Sequence, residues 1–246
     1  MTETIRIAMW SGPRALSTAL MRAWENRPDC LVVDEPLYAA YLAGSGLDHP
    51  MRAEVLASQP QDATVVAEQM TAIAGAPVIY QKHMSHHLLP DMPRGWIDRL
   101  SNAFLIRDPV RVLASYDQKR AAPTLADIGI EQQAELFDRL AQRDGQPPPV
   151  IDADDLQRAP EAVLRALCEA LGVPFSPKML SWPAGPRDSD GVWAPHWYDA
   201  VWRSTGFVPP REHNVALAPD LTRLADLAMP LYAKMATWRL AGSAAA

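Results

Sequence analysis

Residues 10–18 combine several groups that could bind an anion. The stretch reads Trp-Ser-Gly-Pro-Arg-Ala-Leu-Ser-Thr, between the apolar run Ile5–Met9 and a helical pattern from Ala15 to about Trp24. The first N–H groups of such a helix point at an anion, and the helix dipole adds positive potential. Arg14 adds a full charge with planar donors. The candidate anion-binding residues are Gly12, Pro13, Arg14, Ala15, Leu16, Ser17 and Thr18.

The same stretch differs from a Walker A loop, which needs a second glycine and a lysine before its hydroxyl residue. We therefore expect a phosphate-like ligand, but not ATP bound in the usual way.

Arg107 and Ser115 form a second candidate pair. Arg107 ends the apolar run Ala103–Ile106, and Ser115 lies eight residues later, two turns into the next predicted helix. Taken singly, such an arginine is more often a surface or ion-paired residue, and a mid-helix serine usually bonds back to its own helix.

Other polar residues also follow apolar runs, at Asp34-Glu35 and at Lys82-His83. His83, His86 and His87 could ligate a metal with an open fourth position, but their spacing matches no recognised zinc pattern. A strand-end carboxylate such as Glu35 could equally pair with a basic neighbour. We predict no metal site.

Five apolar runs predict the strands that position these groups: Ile5–Met9, Leu31–Val33, Pro77–Gln81, Ala103–Ile106 and Val150–Ile151. Helical patterns alternate with them, which indicates an α/β fold with a parallel sheet and ligands at the carboxyl ends of its strands. We predict one domain over residues 1–246, with a central P-loop-like sheet flanked by helices on both faces.

Capping residues predict the bounds of two helices, and composition predicts two irregular segments. Asp108-Pro109 begins a helix to about Arg120, and Gly172 ends another over Glu161–Leu171. Residues 183–213 are predicted to form an irregular, packed, functional lid, because they contain three tryptophans, and residues 241–246 a frayed tail.

Composition narrows the class of protein. A formal charge of −6 argues against a nucleic-acid partner. No apolar run approaches a membrane span, so we expect no membrane partner. Two cysteines are too few for a disulfide scaffold. The anion-binding stretch at residues 10–18, called the anion loop below, begins too early to leave room for a signal peptide. A cytoplasmic location is therefore expected.

The loop at 10–18 together with Arg107 and Ser115 resembles the cytosolic-type sulfotransferases, whose donor is 3′-phosphoadenylyl sulfate. The resemblance implies that Arg14, Ser17 and Thr18 hold the 5′-phosphosulfate and that Arg107 and Ser115 hold the 3′-phosphate. The run from Asp155-Leu156 to Pro174 is similar to the family's E-D-L…P…L-G-V-P region. A late loop that closes over the 3′-phosphate would comprise Arg203, Ser204, Thr205 and Gly206.

Within that family the chain looks closest to a bacterial and plant branch with W-S-G-P-R and D-E-P-L-Y motifs, some of whose members are named aminotransferase-like. An aminotransferase needs a Schiff-base lysine and an anchor for the pyridine nitrogen. Only Lys82 of the four lysines lies at the predicted site, and no anchor pattern accompanies it. We therefore disfavour aminotransferase activity.

The chain departs from the family at two positions that matter for catalysis. Arg14 replaces the usual first-loop lysine, and Met84 stands where the K-x-H motif has its histidine. The resemblance then implies that Arg14 and Lys82 neutralise charge on the transferred group. Glu35 or one of His83, His86 and His87 would remove the acceptor proton.

These observations predict a sulfotransferase that moves a sulfuryl group from 3′-phosphoadenylyl sulfate, without a metal, to a hydroxyl or amine of a small-molecule acceptor. A P-loop nucleotide kinase or hydrolase and a silent nucleotide-binding module are the alternatives. The weakly patterned ranges 39–69 and 121–130 would shape the acceptor pocket or contact a second copy in a homodimer.

Overall fold

A computed structural model describes residues 4–116, 123–210 and 216–240. Its five strands are β1 (Ile5–Ser11), β2 (Cys30–Asp34), β3 (Val78–Met84), β4 (Ser101–Ile106) and β5 (Val150–Asp152). They form one sheet in the order β2-β3-β1-β4-β5. The sheet is parallel and flanked by helices, so the α/β prediction is confirmed.

The helices of the described residues are α1 (Ser17–Glu25), α2 (Tyr38–Ser45), α3 (Arg52–Ser58), α4 (Ala63–Ala72), α5 (Pro109–Tyr116), α6 (Leu125–Ile128), α7 (Ile130–Asp144), α8 (Ala153–Arg158), α9 (Pro160–Ala170), α10 (Ala194–Trp197), α11 (Asp199–Trp202) and α12 (Pro219–Ala236). Short 3₁₀ turns cover Ser85–His87, Gly95–Arg99 and Pro177–Leu180. None of these helices is long and apolar enough to cross a membrane.

Contacts divide the chain into two compact units. The first comprises Met1–Met9, Thr18–Asn102 and Ser176–Gly206. The second comprises Trp10–Ser17, Ala103–Phe175 and Phe207–Ala246.

Aromatic packing organises the first unit. Trp24 of α1 stacks on Tyr80 of β3, with ring centroids 5.3 Å apart. A second cluster joins α2 to the segment after residue 190, where Trp193 is buried against Tyr38. This packing fits the expected packed segment, but two one-turn helices, α10 and α11, correct the prediction that it is irregular throughout. Pro195 sits in the first turn of α10, where a proline costs no helical hydrogen bond.

Capping residues fix the helices of the second unit. The Asp108 carboxylate accepts the Val110 N–H at 2.8 Å, which confirms the predicted helix start. Gly172 has a φ of 68°, and the Val173 N–H donates to the Cys168 carbonyl, so α9 ends as predicted. Helix α12 packs on α5, α7 and β5. The end of the predicted helix after Tyr116, residues 121–122, residues 211–213 of the predicted lid and the predicted tail lie outside the described residues.

Candidate active site

The loop between β1 and α1 holds two residues in an unusual backbone conformation. Arg14 has a φ of 60° and Leu16 a φ of 65°, the left-handed region that costs most residues about 1–2 kcal/mol. Helix α1 therefore begins at Ser17 rather than at Ala15, where the sequence pattern predicted it. Residues held in such conformations are concentrated at functional sites.

Gly12 is needed in this loop because of a close packing contact. A Cβ atom at Gly12 would lie 2.6 Å from the carbonyl oxygen of Ile128, the last residue of α6. The contact holds the loop against the end of α6, and a larger residue would displace it.

Arg107 and Ser115, predicted as a pair, are both in contact with Arg14. An Arg107 Nη1 proton is donated to the Arg14 carbonyl at 2.6 Å, and the Arg14 Nε donates to Ser115 Oγ at 2.9 Å. Burial lowers the pKa of both guanidiniums, although arginine remains charged at neutral pH. The structure thus joins the anion loop to the candidate pair within the second unit.

Asp154 of α8 forms an ion pair with Arg107 and was missed by sequence reasoning. Its carboxylate lies 2.8 Å from Arg111 Nε and 3.8 Å from Arg107 Nε. The only signal was the acidic pair Asp154-Asp155 after β5, which the family resemblance used through Asp155 alone. A carboxylate beside two arginines offsets the electrostatic repulsion between them.

A pocket beside the anion loop has mostly apolar walls. It is lined by Gly12, Pro13, Ala15, Arg107, Pro109, Val112, Ile128, Ile130 and Gln133. The buried Gln133 amide donates to the carbonyls of Trp10 and Leu105, both at 3.0 Å. Arg107 is therefore the charged group in the wall of this pocket.

The first unit contains a separate buried cluster around Lys82. The strand register pairs Asp34 of β2 with Lys82 of β3. Lys82 Nζ donates to Asp34 Oδ1 at 2.9 Å, to Glu35 Oε1 at 2.6 Å and to the Tyr198 hydroxyl at 2.6 Å. An ammonium group has three protons. With all three occupied and the side chain 1% exposed, Lys82 is placed to hold this cluster together, which argues against its predicted role on the transferred group.

One carboxylate oxygen of Glu35 hydrogen-bonds within this cluster, and the other faces His87. Its backbone is left-handed, with a φ of 43°, and its N–H donates to the Lys82 carbonyl. Oε1 accepts from Lys82, whereas Oε2 lies 4.0 Å from His87 Nδ1. Burial raises the pKa of Glu35, which makes the carboxylate a stronger base than an exposed one.

Tyr198 completes the cluster, and no sequence signal pointed to it. Its hydroxyl donates to Asp34 Oδ2 at 2.7 Å and accepts from Trp193 Nε1 at 3.1 Å. The Gly191 N–H also donates to Asp34 Oδ2. Burial raises the pKa of Tyr198 well above its ordinary value, so the hydroxyl stays protonated.

The geometry of β3 argues against His83 as the base. Strand β3 continues to Met84 instead of ending at Gln81, so Lys82 and His83 point to opposite faces of the sheet. His83 Nε2 instead contacts Gln81 Oε1 at 3.1 Å, and burial lowers its pKa to about 3.

His86 and His87 are packed among aromatic rings. His87 stacks between Tyr38 and Tyr41, with centroids 4.5 and 4.7 Å away, and burial lowers its pKa well below the ordinary value. His86 meets Tyr41 edge-on. Within the described ranges, no three His, Cys, Asp or Glu side chains are grouped to hold a metal.

The late loop is partly committed to local structure. Ser204 Oγ donates to the Val201 carbonyl and accepts from Trp182 Nε1. Gly206 forms an antiparallel bridge with Ser181, and the Thr205 carbonyl accepts the Trp182 N–H. Arg203 is exposed. The contact of this loop with a 3′-phosphate stays a prediction.

Comparison with known proteins identifies the family. A model of the sulfotransferase domain matches residues 5–239. The chain belongs to the sulfotransferase domain family. The domain is also similar to Branched-chain-amino-acid aminotransferase-like proteins 1 and 2 of Arabidopsis thaliana, at 40% and 37% identity over 94% and 92% of the chain. The chain spans only 42% and 40% of the length of these relatives.

Solved sulfotransferase domains share the fold of this one. The sulfotransferase domain from the Synechococcus olefin synthase matches with a TM-score of 0.54 and 20% identity, over 92% of this chain and 94% of that one. A sulfotransferase from Alicyclobacillus acidocaldarius matches with a TM-score of 0.52 and 14% identity, over 96% and 95%. At these identities the likeness establishes the fold alone.

Proposed function

We propose that this sulfotransferase domain moves a sulfuryl group from 3′-phosphoadenylyl sulfate to a hydroxyl or amine of a small-molecule acceptor. The observation that carries the proposal is the contact of Arg14 with both Arg107 and Ser115. Two guanidiniums and a hydroxyl beside a helix start suit a nucleotide that has a phosphate apart from its 5′ end.

In this proposal the anion loop, the first residues of α1, Arg107 and Ser115 bind and orient the nucleotide. The anion loop and the start of α1, with Ser17 and Thr18, offer N–H and O–H donors to the 5′ end. Arg107 and Ser115 bind the 3′-phosphate. When bound, the donor supplies an activated sulfuryl group on a phosphate leaving group. Fixed donors aimed at its oxygens stabilise the charge that develops in a loose transition state.

Glu35 is the proposed general base. Its Oε2 would take the proton as the acceptor oxygen or nitrogen bonds to sulfur and the bond from sulfur to the phosphate oxygen breaks. Lys82 and Tyr198 act as positioning residues, since they fix Glu35 Oε1 and Asp34 and leave Oε2 for the acceptor. The raised pKa of Glu35 supports this role.

A cytoplasmic location and the absence of nucleic-acid and membrane partners belong to the same proposal. The net charge of −6 supports the exclusion of nucleic acid. A homodimer through residues 39–69 also remains a proposal, and these residues fold as α2, α3 and α4.

Ligand discrimination tests the proposed donor. At 100 times its Kd, adenosine 3′,5′-bisphosphate stabilises the fold by about 2.7 kcal/mol, which raises the Tm of a chain of this size by roughly 5–10 °C. We expect this shift with the bisphosphate and a much smaller one with ATP and magnesium. A larger shift with ATP would refute the sulfotransferase proposal in favour of a kinase or hydrolase.

Turnover separates a catalyst from a silent binding module. With donor and a panel of phenols, alcohols and amines, we expect sulfated product from the wild-type chain. Glu35→Gln should lose most of the rate while still binding the bisphosphate, and His83→Ala serves as the matched control. Equal losses in both variants would contradict the assignment of Glu35.

A further inference from the structure

Arg22 of α1 is a buried arginine that belongs to neither group of candidate site residues. Its side chain is 1% exposed, Nη1 donates to Glu25 Oε2 at 3.0 Å, and Nη2 donates to Asp190 Oδ1. The Asp190 side chain is only 5% exposed. The hydroxyl of Ser189 donates to the other carboxylate oxygen of Glu25. Desolvation offsets much of the attraction in a buried ion pair, so the main effect of this pair is to fix the position of residue 190.

Asp190 ties residues 187–202, here called the strap, to α1. Its Oδ2 accepts the Arg187 N–H and the Trp202 Nε1–H, both at 2.9 Å. Its Oδ1 accepts from Arg22. One carboxylate therefore joins both ends of the strap to a buried cation. All of these residues lie in the first unit.

The middle of the strap contacts the buried cluster. The Gly191 N–H donates to Asp34 Oδ2 at 3.2 Å. A Cβ atom at Gly191 would lie 2.1 Å from the Trp193 ring, so the indole packs directly against this glycine. The same indole donates from Nε1 to the Tyr198 hydroxyl, which donates to Asp34 and lies 3.4 Å from Glu35 Oε1. The position of the strap therefore determines where its donors meet the two carboxylates.

We infer that Arg22 and Asp190 are positioning residues for Glu35. Arg22 holds Asp190, which ties both ends of the strap to α1. The strap in turn places Tyr198 beside Glu35. The inference rests on the proposed function, because it presumes that Glu35 is the base. Its physical basis is that a misplacement of about 1 Å at the reacting atoms can cost roughly a hundredfold in rate.

Kinetics of Arg22→Met test the inference. Methionine keeps much of the volume of the side chain and removes its charge and its donors. We expect kcat to fall at least about tenfold, because the base is displaced. The KM for 3′-phosphoadenylyl sulfate should stay within about twofold of the wild-type value, because a role in positioning the base leaves donor binding unchanged. Arg22→Lys, which keeps the charge, should recover most of the lost rate.

The pH–rate profile is a readout that a loss of folded protein would not change. The charged and titratable groups that face Glu35 are Asp34, Lys82, Tyr198 and His87. Burial is the largest cause of the raised pKa of Glu35. Release of the strap would admit water to the carboxylate. The apparent pKa of the rising part of the profile should therefore fall toward 4.5, the ordinary Glu value, in Arg22→Met.

Indole N–H resonances in NMR spectra report on the strap without turnover. The resonances are assigned with Trp193→Phe and Trp202→Phe. Trp202 reports its hydrogen bond to Asp190, and Trp193 reports its hydrogen bond to Tyr198 in the buried cluster. In Arg22→Met both resonances should move toward that of a water-exposed indole. A move of the Trp193 resonance would show that the displacement reaches the cluster.

Arg27→Met is the matched control. Arg27 is also a buried arginine of the first unit, but its ion pair is with Asp29, outside the strap. Its replacement removes a buried charge of the same kind. It should leave the apparent pKa of the profile and the Trp193 resonance at their wild-type values.

A double-mutant cycle tests whether Arg22 acts through Asp190. Asp190→Asn keeps an acceptor for Trp202 and removes the charge that binds Arg22. When both changes are combined, kcat should fall little further than in Arg22→Met alone. If thermal melting shows Arg22→Met to be unfolded, Asp190→Asn takes its place in the kinetic and NMR measurements.

Three results would overturn the inference. An unchanged kcat and pH profile in Arg22→Met would show that the strap keeps its place without the ion pair. A raised KM for the donor with unchanged kcat would place the effect of Arg22 on donor binding. A lower kcat with the wild-type pH profile and the wild-type Trp193 resonance would reflect loss of folded protein alone. A wild-type chain without turnover would instead refute the proposed function, and the assignment of a base with it.

Discussion

Replacing Lys82 by Met measures what the buried cluster contributes to the fold. Methionine keeps most of the volume but removes three N–H donors and the positive charge. Asp34 and Glu35 would then lose their cationic partner, with side chains only 2% and 11% exposed. Removing one partner of a buried ion pair costs about 3–5 kcal/mol, a large share of the roughly 5–15 kcal/mol that stabilises a folded domain.

Urea unfolding at several pH values tests this estimate. Tyr198→Phe is the matched control, because it removes one hydroxyl that donates to Asp34 and should cost about 1.5–3 kcal/mol. Burial already raises the pKa of Glu35 and Lys82 opposes that shift, so in Lys82→Met the Glu35 carboxylate takes up a proton more readily in the folded chain than in the unfolded one. The folded chain then gains stability as the pH falls, so the penalty should be largest near pH 8 and shrink toward 4.5, the ordinary Glu value.

A different result would refute this reasoning. If Lys82→Met unfolds within about 0.5 kcal/mol of the wild-type chain but loses turnover, Lys82 acts on the substrate and not on the fold. The role implied by the family resemblance would then be restored.

Two further predictions concern the base and the anion loop. The pH–rate profile should rise with an apparent pKa above 4.5, because burial raises the pKa of Glu35 and the base acts in its deprotonated form. If His83→Ala abolished this rise, the assignment of Glu35 as the base would be contradicted. Gly12→Ala should lower the free energy of unfolding by about 1–3 kcal/mol, because its Cβ would clash with the Ile128 carbonyl. Gly95→Ala is the control: its Cβ would contact nothing within 4 Å, so its stability should be unchanged. Equal urea midpoints for the two variants would contradict the packing argument.

Much of the fold was predictable because its signals are local. All five strands coincide with apolar runs in the sequence. The Asp108 N-cap and the helix end at Gly172 are recognisable from neighbouring residues. Helix α2 was harder, since Tyr38–Leu42 are all buried and a helix that is apolar on every side has no amphipathic pattern. The end of β3 was placed too early because polar residues suggested a boundary, whereas Lys82 and His83 are buried with partners that the sequence pattern does not reveal.

The candidate site was predictable only where spacing carried it. The family resemblance implied the pairing of Arg107 with Ser115, and both residues contact Arg14 of the anion loop. The position of the Arg14 side chain depends on a left-handed backbone that arginine rarely adopts. Tyr198 reaches Asp34 across 164 residues, so only the tertiary fold reveals their hydrogen bond.

The double hydrogen bond of Gln133 has a consequence for the thermodynamics of binding. The planar amide donates to the carbonyls of Trp10 in β1 and Leu105 in β4, so separating the anion loop from Arg107 would break at least one buried hydrogen bond. A ligand at this cleft therefore meets donors that are already arranged, and little conformational entropy is lost on binding. We therefore expect the affinity at this cleft to depend more on the preorganisation that Gln133 of α7 provides than on the number of contacts with the ligand.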